Sequence, residues 1–206
     1  MELETYLETL ASSAPTPGGG SAATVVVALG AALVAMVARI TRDNQKYAAK
    51  TSLADDLIAK ADAMRVQMLV ARSDDEAAFG RVVAASALPR ESQPEGDKRA
   101  AAVQAALAEA AAAPLRAARL AADVAALAAR ALELGNPHLA SDLGCAADFA
   151  AAGLSACAFN VRVNYRYIHD RELIARGERQ LQRFESTTAP LIEQVRVATQ
   201  RALAKP

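Results

Sequence analysis

Apolar residues recur at intervals of three and four along most of the chain, the spacing of one face of an α-helix. Leu3, Leu7 and Leu10 predict a short first helix. Ala22 to Thr41 is nearly all apolar or small and predicts a second, opening at Ser21. The third segment, Asp43 to Leu88, carries the stripe Leu53, Leu57, Ala61, Met64, Met68, Ala71, Asp75, Phe79 and Val82, and Leu88-Pro89 closes it. Ser73-x-x-Glu76 within it has the form of a capping box and marks a place where the segment can break. Polar Arg90–Gly96 reads as a loop, and Asp97–Leu134 is helical again, with Pro114 expected to kink or divide it. At Leu134-Gly135-Asn136-Pro137, Gly135 suits a helix end, Asn136 a cap, and Pro137 a first turn. The next helix is expected from Pro137 to near Ala175. Gly177 then separates a last one, Glu178–Ala204, with Pro190 near its middle. Alternating strand patterns bounded by hairpin turns are not found. The pattern predicts an all-α fold: one domain over 1–206, built as a bundle of long antiparallel helices.

Composition adds self-association to this picture. Hydrophobic residues make up 53% of the chain but aromatics only 4%, and alanine supplies much of the apolar content. Alanine favours helix yet buries little area, so a dimer is expected to enlarge a thin core. Lys plus Arg and Asp plus Glu are 23 each, and this balance argues against a nucleic-acid partner. Cys145 and Cys157, on one helix, would lie about 18 Å apart along its axis, too far for a disulfide and suited to a reducing cytoplasm. MELETYLETL is acidic and amphipathic rather than a signal peptide. Ala22–Ala38 approaches spanning length but reads as a buried core helix, not a membrane span.

Candidate chemistry concentrates at helix ends and carboxylates. Pro15-Thr16-Pro17-Gly18-Gly19-Gly20-Ser21 feeds a glycine-rich turn into a helix N-terminus, with Ser21 as the expected N-cap. Free N–H groups and the positive dipole end there suit an anion or an electron-rich part of a ligand; a linker plus cap is the plainer alternative. His138 and His169 are distant in sequence, and no Cys/His pair has metal-ligand spacing. A nucleophile elbow and the dinucleotide fingerprint are also missing. Asp142 has Cys145, Phe149 and Gly153 at i+3, i+7 and i+11, which points it inward near a helix start, either as a functional carboxylate or as a dipole partner. Asp75 lies on an apolar stripe, where a carboxylate needs a partner or a role. Asn160, about 27 Å along the helix from Asp142, cannot share a reactive atom with it; Asn160 and Asn164 are expected to make interhelical hydrogen bonds. Lys46-Tyr47 and Arg99 are either ligand contacts or solvated surface.

Together these pieces resemble the cyclodeaminase/cyclohydrolase family of folate enzymes. The family includes the deaminase half of formiminotransferase-cyclodeaminase and free-standing methenyltetrahydrofolate cyclohydrolases. The resemblance is carried by Ala14-Pro15-Thr16-Pro17-Gly18-Gly19-Gly20-Ser21-Ala22-Ala23, by Leu29–Ala38, by Asp75 with Ala78-Phe79, and by Ala87-Leu88-Pro89. Further on it is carried by Gly135-Asn136, Ser141-Asp142-x-Gly144-x-Ala146-Ala147 and Asn160-Val161. It implies an all-helical dimer acting on a tetrahydrofolate derivative, with no metal and no tightly bound cofactor. At 206 residues there is no room for a formiminotransferase half, which favours the cyclohydrolase.

In that reaction water attacks a cationic methenyl carbon, and ring opening leaves 10-formyltetrahydrofolate. In the cyclodeaminase, N10 attacks a formimino carbon and ammonia leaves. One carboxylate can serve either reaction. The resemblance implies Asp142 as base or electrostatic stabiliser, with Asp75 as helper. On this reading Gly18, Gly19, Gly20, Ser21, Lys46, Tyr47, Arg99, Asn136 and Ser141 are the expected substrate-binding positions. A non-catalytic folate- or anion-binding module and a helical scaffold are the readings from other classes.

Overall fold

The computed structural model describes residues 2–204. Met1, Lys205 and Pro206, which the expected domain over 1–206 includes, lie outside the described residues. Six α-helices are found there: α1 (Leu3–Leu10), α2 (Gly19–Arg42), α3 (Thr51–Ser86), α4 (Gln93–Ala131), α5 (Ala140–Tyr165) and α6 (Arg171–Leu203). Short 3-10 turns at Gln45–Lys50, Leu132–Leu134 and Pro137–Leu139 join them, and no strand occurs among the described residues.

Helices α2 to α5 pack as an up-down-up-down bundle, and α6 lies against α4 and α5. Contacts at both ends of α2 fix its antiparallel register with α3: Arg39 pairs with Asp62, and Gly20 meets Asp75. One stretch of core gathers Val27, Met68, Val124, Val161 and Leu181; the other gathers Val34, Leu57, Leu134, Leu143 and Val195. Alanines fill most positions between these large side chains, which lets the helices approach closely. By length and composition α2 and Pro137–Tyr165 could each cross a membrane, but 61% and 50% of their apolar windows are buried inside the fold.

Several boundaries differ from the sequence pattern. Gly18, not Ser21, is the N-cap of α2, and no side chain caps that end. Ser21 is the third helical residue and fully buried. No break occurs at Ser73, because α3 runs through it; the capping box is at Ser92 and Glu95 instead, so α4 opens within the expected loop. Pro114 and Pro190 lie inside continuous helices. The last two helices divide at 166–170, where Asp170 accepts from the N–H groups of Glu172 and Leu173. Gly177 is interior to α6 and makes room for Tyr165: a Cβ there would fall 1.7 Å from the Tyr165 hydroxyl. The Gly135–Asn136 junction is as expected. Gly135 is left-handed at φ 68°, and the Asn136 side chain accepts from the N–H of His138.

Candidate active site

A cavity of about 640 Å³ lies at one end of the bundle, where α3, α4 and α5 converge on the start of α2. Its polar lining includes Gly18 and Gly20, Asp75 of α3, Gln104 of α4, and Asn160 and Asn164 of α5. Phe79, Val82, Val103, Leu107, Val163 and Tyr167 supply an apolar wall.

Asp75 reaches this cavity because it interrupts the apolar stripe of α3. Its carboxylate packs against the Cα of Gly20, where any Cβ would lie 2.5 Å from one of its oxygens. Glycine is what lets the carboxylate stand this close. Burial first, and the neighbouring Glu76 charge second, push the Asp75 carboxyl above the usual carboxylate range; the backbone N–H of Ser21 opposes the rise. The uncapped first turn of α2 adds a favourable field for the ionised form. Below it, burial and the Asp75 charge push the Cys157 thiol up to about 12, so it is an inert core group.

Behind the glycine turn runs a hydrogen-bond chain. The Ser21 hydroxyl donates to Glu76 at 3.0 Å and lies 2.9 Å from the Tyr6 hydroxyl. Ser21 has one hydroxyl proton, so Tyr6 is the donor to Ser21. Arg72 stacks over the Tyr6 ring, 5.4 Å from its centroid, and approaches Glu76 at 4.0 Å. This chain ties α1 to the segment of α3 that carries Asp75.

The expected site residues fall into two groups. Gly18, Gly20 and Asp75 line the cavity; Gly19 faces Asn160 and Ser21 supports the turn from behind. Arg99 stands at the rim, its Nε donating to the carbonyl of Ser86, a lining residue. Lys46, Tyr47, Asn136, Ser141 and Asp142 lie at the other end of the bundle in the same chain. Tyr47 is buried with its hydroxyl 3.5 Å from Asn136, whose Nδ2 donates to Thr41; Lys46 sits over the Tyr47 ring. Ser141 borders a separate groove with Cys145 and Arg196.

Asp142 is half-buried on the first turn of α5, away from the cavity, and its expected inward direction is corrected. The inward face of α5 is Leu143, Ala146, Ala147, Ala150, Leu154 and Cys157, whereas Cys145 is exposed. Small residues on both faces of this helix hide its phase. Asn164 makes the expected interhelical bond, to the carbonyl of Ala110, while Asn160 bonds within α5 to Ala156. That both asparagines line the cavity was not expected; two amides four residues apart on an apolar helix were the available signal. Among the described residues no cluster of three His, Cys, Asp or Glu side chains has metal-binding geometry.

Among the described residues the site is a partly buried carboxylate under an uncapped helix start in an all-helical bundle, the class of a small-molecule site. A family model described as Formiminotransferase-cyclodeaminase matches residues 2–183, and the chain belongs to that family. Methenyltetrahydrofolate cyclohydrolase of Methylorubrum extorquens is 40% identical over 187 residues, which cover 91% of this chain and 88% of that protein. Formimidoyltransferase-cyclodeaminase of Rattus norvegicus is 31% identical over 168 residues, 82% of this chain but only 31% of the rat protein. The crystal structure of formiminotetrahydrofolate cyclodeaminase from Thermotoga maritima superposes with a TM-score of 0.88 at 28% identity, covering 98% of each chain.

Proposed function

We propose that the protein is a methenyltetrahydrofolate cyclohydrolase whose reacting carboxylate is Asp75. The observation that carries this reading is the placement of Asp75 in the cavity against Gly20, in a chain 40% identical to a cyclohydrolase along most of its length. Its oxygens face a space large enough for a bicyclic ring and the ring beyond it.

The 5,10-methenyl substrate is a delocalised cation, and the Asp75 carboxylate stabilises it on binding. Asp75 then accepts a proton from water as the water oxygen bonds to the methenyl carbon. The neutral carbinol adduct opens by breaking the carbon–N5 bond; the hydroxyl proton is lost as the formyl C=O forms, and N5 gains one. One proton leaves to solvent, which balances the lost positive charge. Asn160 and Asn164, on the wall beside Asp75, offer amide groups to the polar edge of the bicyclic ring. No tightly bound cofactor is needed for these steps.

Cyclodeaminase activity is the second reading, favoured by the Thermotoga maritima fold match. There Asp75, its carboxyl raised by burial, would protonate the departing ammonia. A paired assay separates the two: loss of 5,10-methenyltetrahydrofolate absorbance, and ammonia release from the formimino form. Turnover in the first without the second is the expected result.

The working unit of this reading is a homodimer in the cytoplasm. Leu29, Leu33, Met36 and Ile40 form a stripe on the outer face of α2, with Leu29 and Ile40 51% and 47% exposed. The α2–α3 register sets exposed Val66 and Leu69 at the level of Leu33 and Leu29. A second copy covering this face adds the apolar burial that an alanine-rich core lacks. With the two α2 helices antiparallel, the Asp142 end of one copy approaches the Asp75 end of the other, and by this route Asp142 enters the site as a helper. The free cysteines, exposed Cys145 and buried Cys157, suit a reducing compartment.

A further inference from the structure

Two of the chain's eight Phe and Tyr residues border the cavity from opposite elements. Phe79 stands one turn beyond Asp75 on α3 and is 42% exposed. Tyr167 stands in the turn between α5 and α6 and is 60% exposed. Phe159, 68% exposed, lies outside the cavity lining, whereas these two rings stand in solvent at one opening, where a bound ring can cover both.

The turn that carries Tyr167 is pinned from α4. The Gln104 side chain donates through Nε2 to the carbonyl of Tyr167 at 3.0 Å and accepts through Oε1 from the N–H of His169 at 2.8 Å. Ile168 between them is buried in the core. The backbone on both sides of Ile168 is therefore fixed by one amide, which sets where the Tyr167 ring stands at the cavity mouth.

We propose that Phe79 and Tyr167 form an aromatic clamp for the planar ring of the ligand, and that Gln104 is the positioning residue that sets Tyr167. The ligand class is a planar, cationic or electron-poor ring system, which aromatic faces attract by stacking and cation–π contact. This rests on the folate reading above, which supplies the ring.

The test is a mutant cycle read by KM and kcat with 5,10-methenyltetrahydrofolate and by Kd for the stable analogue 5-formyltetrahydrofolate. Tyr167→Ala and Gln104→Ala are each expected to raise KM and Kd about 3–10-fold, with kcat within about twofold. The double variant should match Tyr167→Ala alone, because both ends of the Gln104 amide are committed to the turn that carries the ring. Tyr167→Phe keeps the ring and should bind like wild type. Gln104→Glu keeps the acceptor for His169 but sets a carboxylate oxygen against the Tyr167 carbonyl, so a rise at least as large as in Gln104→Ala is expected, and this variant serves if Gln104→Ala does not fold. Additive effects in the double variant, a fall in kcat at unchanged KM, or equal loss in Tyr167→Phe and Tyr167→Ala each overturn the clamp. If wild type binds the analogue but turns over neither folate substrate, the function reading fails and the Kd cycle still decides the clamp. If wild type does not bind at all, both fall.

Discussion

Gly20 and Asp75 touch across the α2–α3 interface, so closely that a methyl group on Gly20 would overlap a carboxylate oxygen at 2.5 Å. The overlap is with the far end of a side chain, which can swing away, rather than with backbone. Gly20→Ala is therefore expected to fold normally, with a thermal midpoint equal to or above wild type, since alanine favours helix by up to about 1 kcal/mol. Its turnover should fall on the order of 10–100-fold, because the carboxylate is displaced by an ångström or so. Gly19→Ala, which meets only the Asn160 amide at 3.7 Å, should stay near wild type. Circular dichroism and turnover on the same preparations check the pair; equal activity of the two variants would show that the contact is incidental.

Asp75 also sets a pH dependence. Its carboxyl is held up by burial first and by Glu76 second. The unfolded chain gives up this proton at lower pH than the folded one, so stability falls as pH rises through the window between the two values and stays lower above it. Asp75→Asn cannot ionise, and should melt higher than wild type at neutral pH and level with it below about pH 3. Melting curves at both pH values decide; a lower midpoint at neutral pH contradicts the burial cost.

Glu76→Gln removes the second cause of that rise. The Asp75 carboxyl then drops toward its ordinary range, and the acid limb of the kcat/KM profile should move to lower pH. A limb that stays in place would mean that Asp75 is not the group titrating in it.

Gly177→Ala is expected to destabilise without touching catalysis. The new methyl meets the Tyr165 hydroxyl at 1.7 Å inside the α5–α6 contact, and overpacking costs about 1–3 kcal/mol, offset in part by helix propensity. Thermal midpoint and kcat are the readouts, and a wild-type midpoint would show that Tyr165 moves freely.

The proposed dimer is open to a direct test. Sedimentation should report twice 21.5 kDa, and Leu33→Glu with Met36→Glu should give a monomer. If Asp142 serves the partner's cavity, mixing inactive Asp75→Asn with inactive Asp142→Asn subunits should restore about a quarter of wild-type activity, since half the dimers are mixed and each has one intact site. An Asp142→Asn variant with full activity would remove Asp142 from the site.

The helices were legible because three- and four-residue spacing survives wherever large side chains mark a face, as along Leu57, Met68 and Asp75 of α3. Asp75 was legible for the same reason, being a carboxylate on that stripe. The phase of α5 was not, because alanine, glycine and cysteine on both sides of Asp142 carry little contrast. Gly177 reads as a stop in one dimension and is a close approach in three. Gln104, Asn160 and Tyr167 come from different helices and turns and meet only when α4 and α5 pack, so no local spacing connects them.

If the Asp75 carboxylate does the chemistry, hydrolysis of 5,10-methenyltetrahydrofolate by Asp75→Asn beside wild type, followed by loss of methenyl absorbance, reads it without an intermediary. The amide keeps the size and removes the charge. Turnover is expected to fall about 10²–10⁴-fold, with helix content and sedimentation unchanged from wild type. Turnover within about threefold of wild type in a folded Asp75→Asn protein would contradict the assignment.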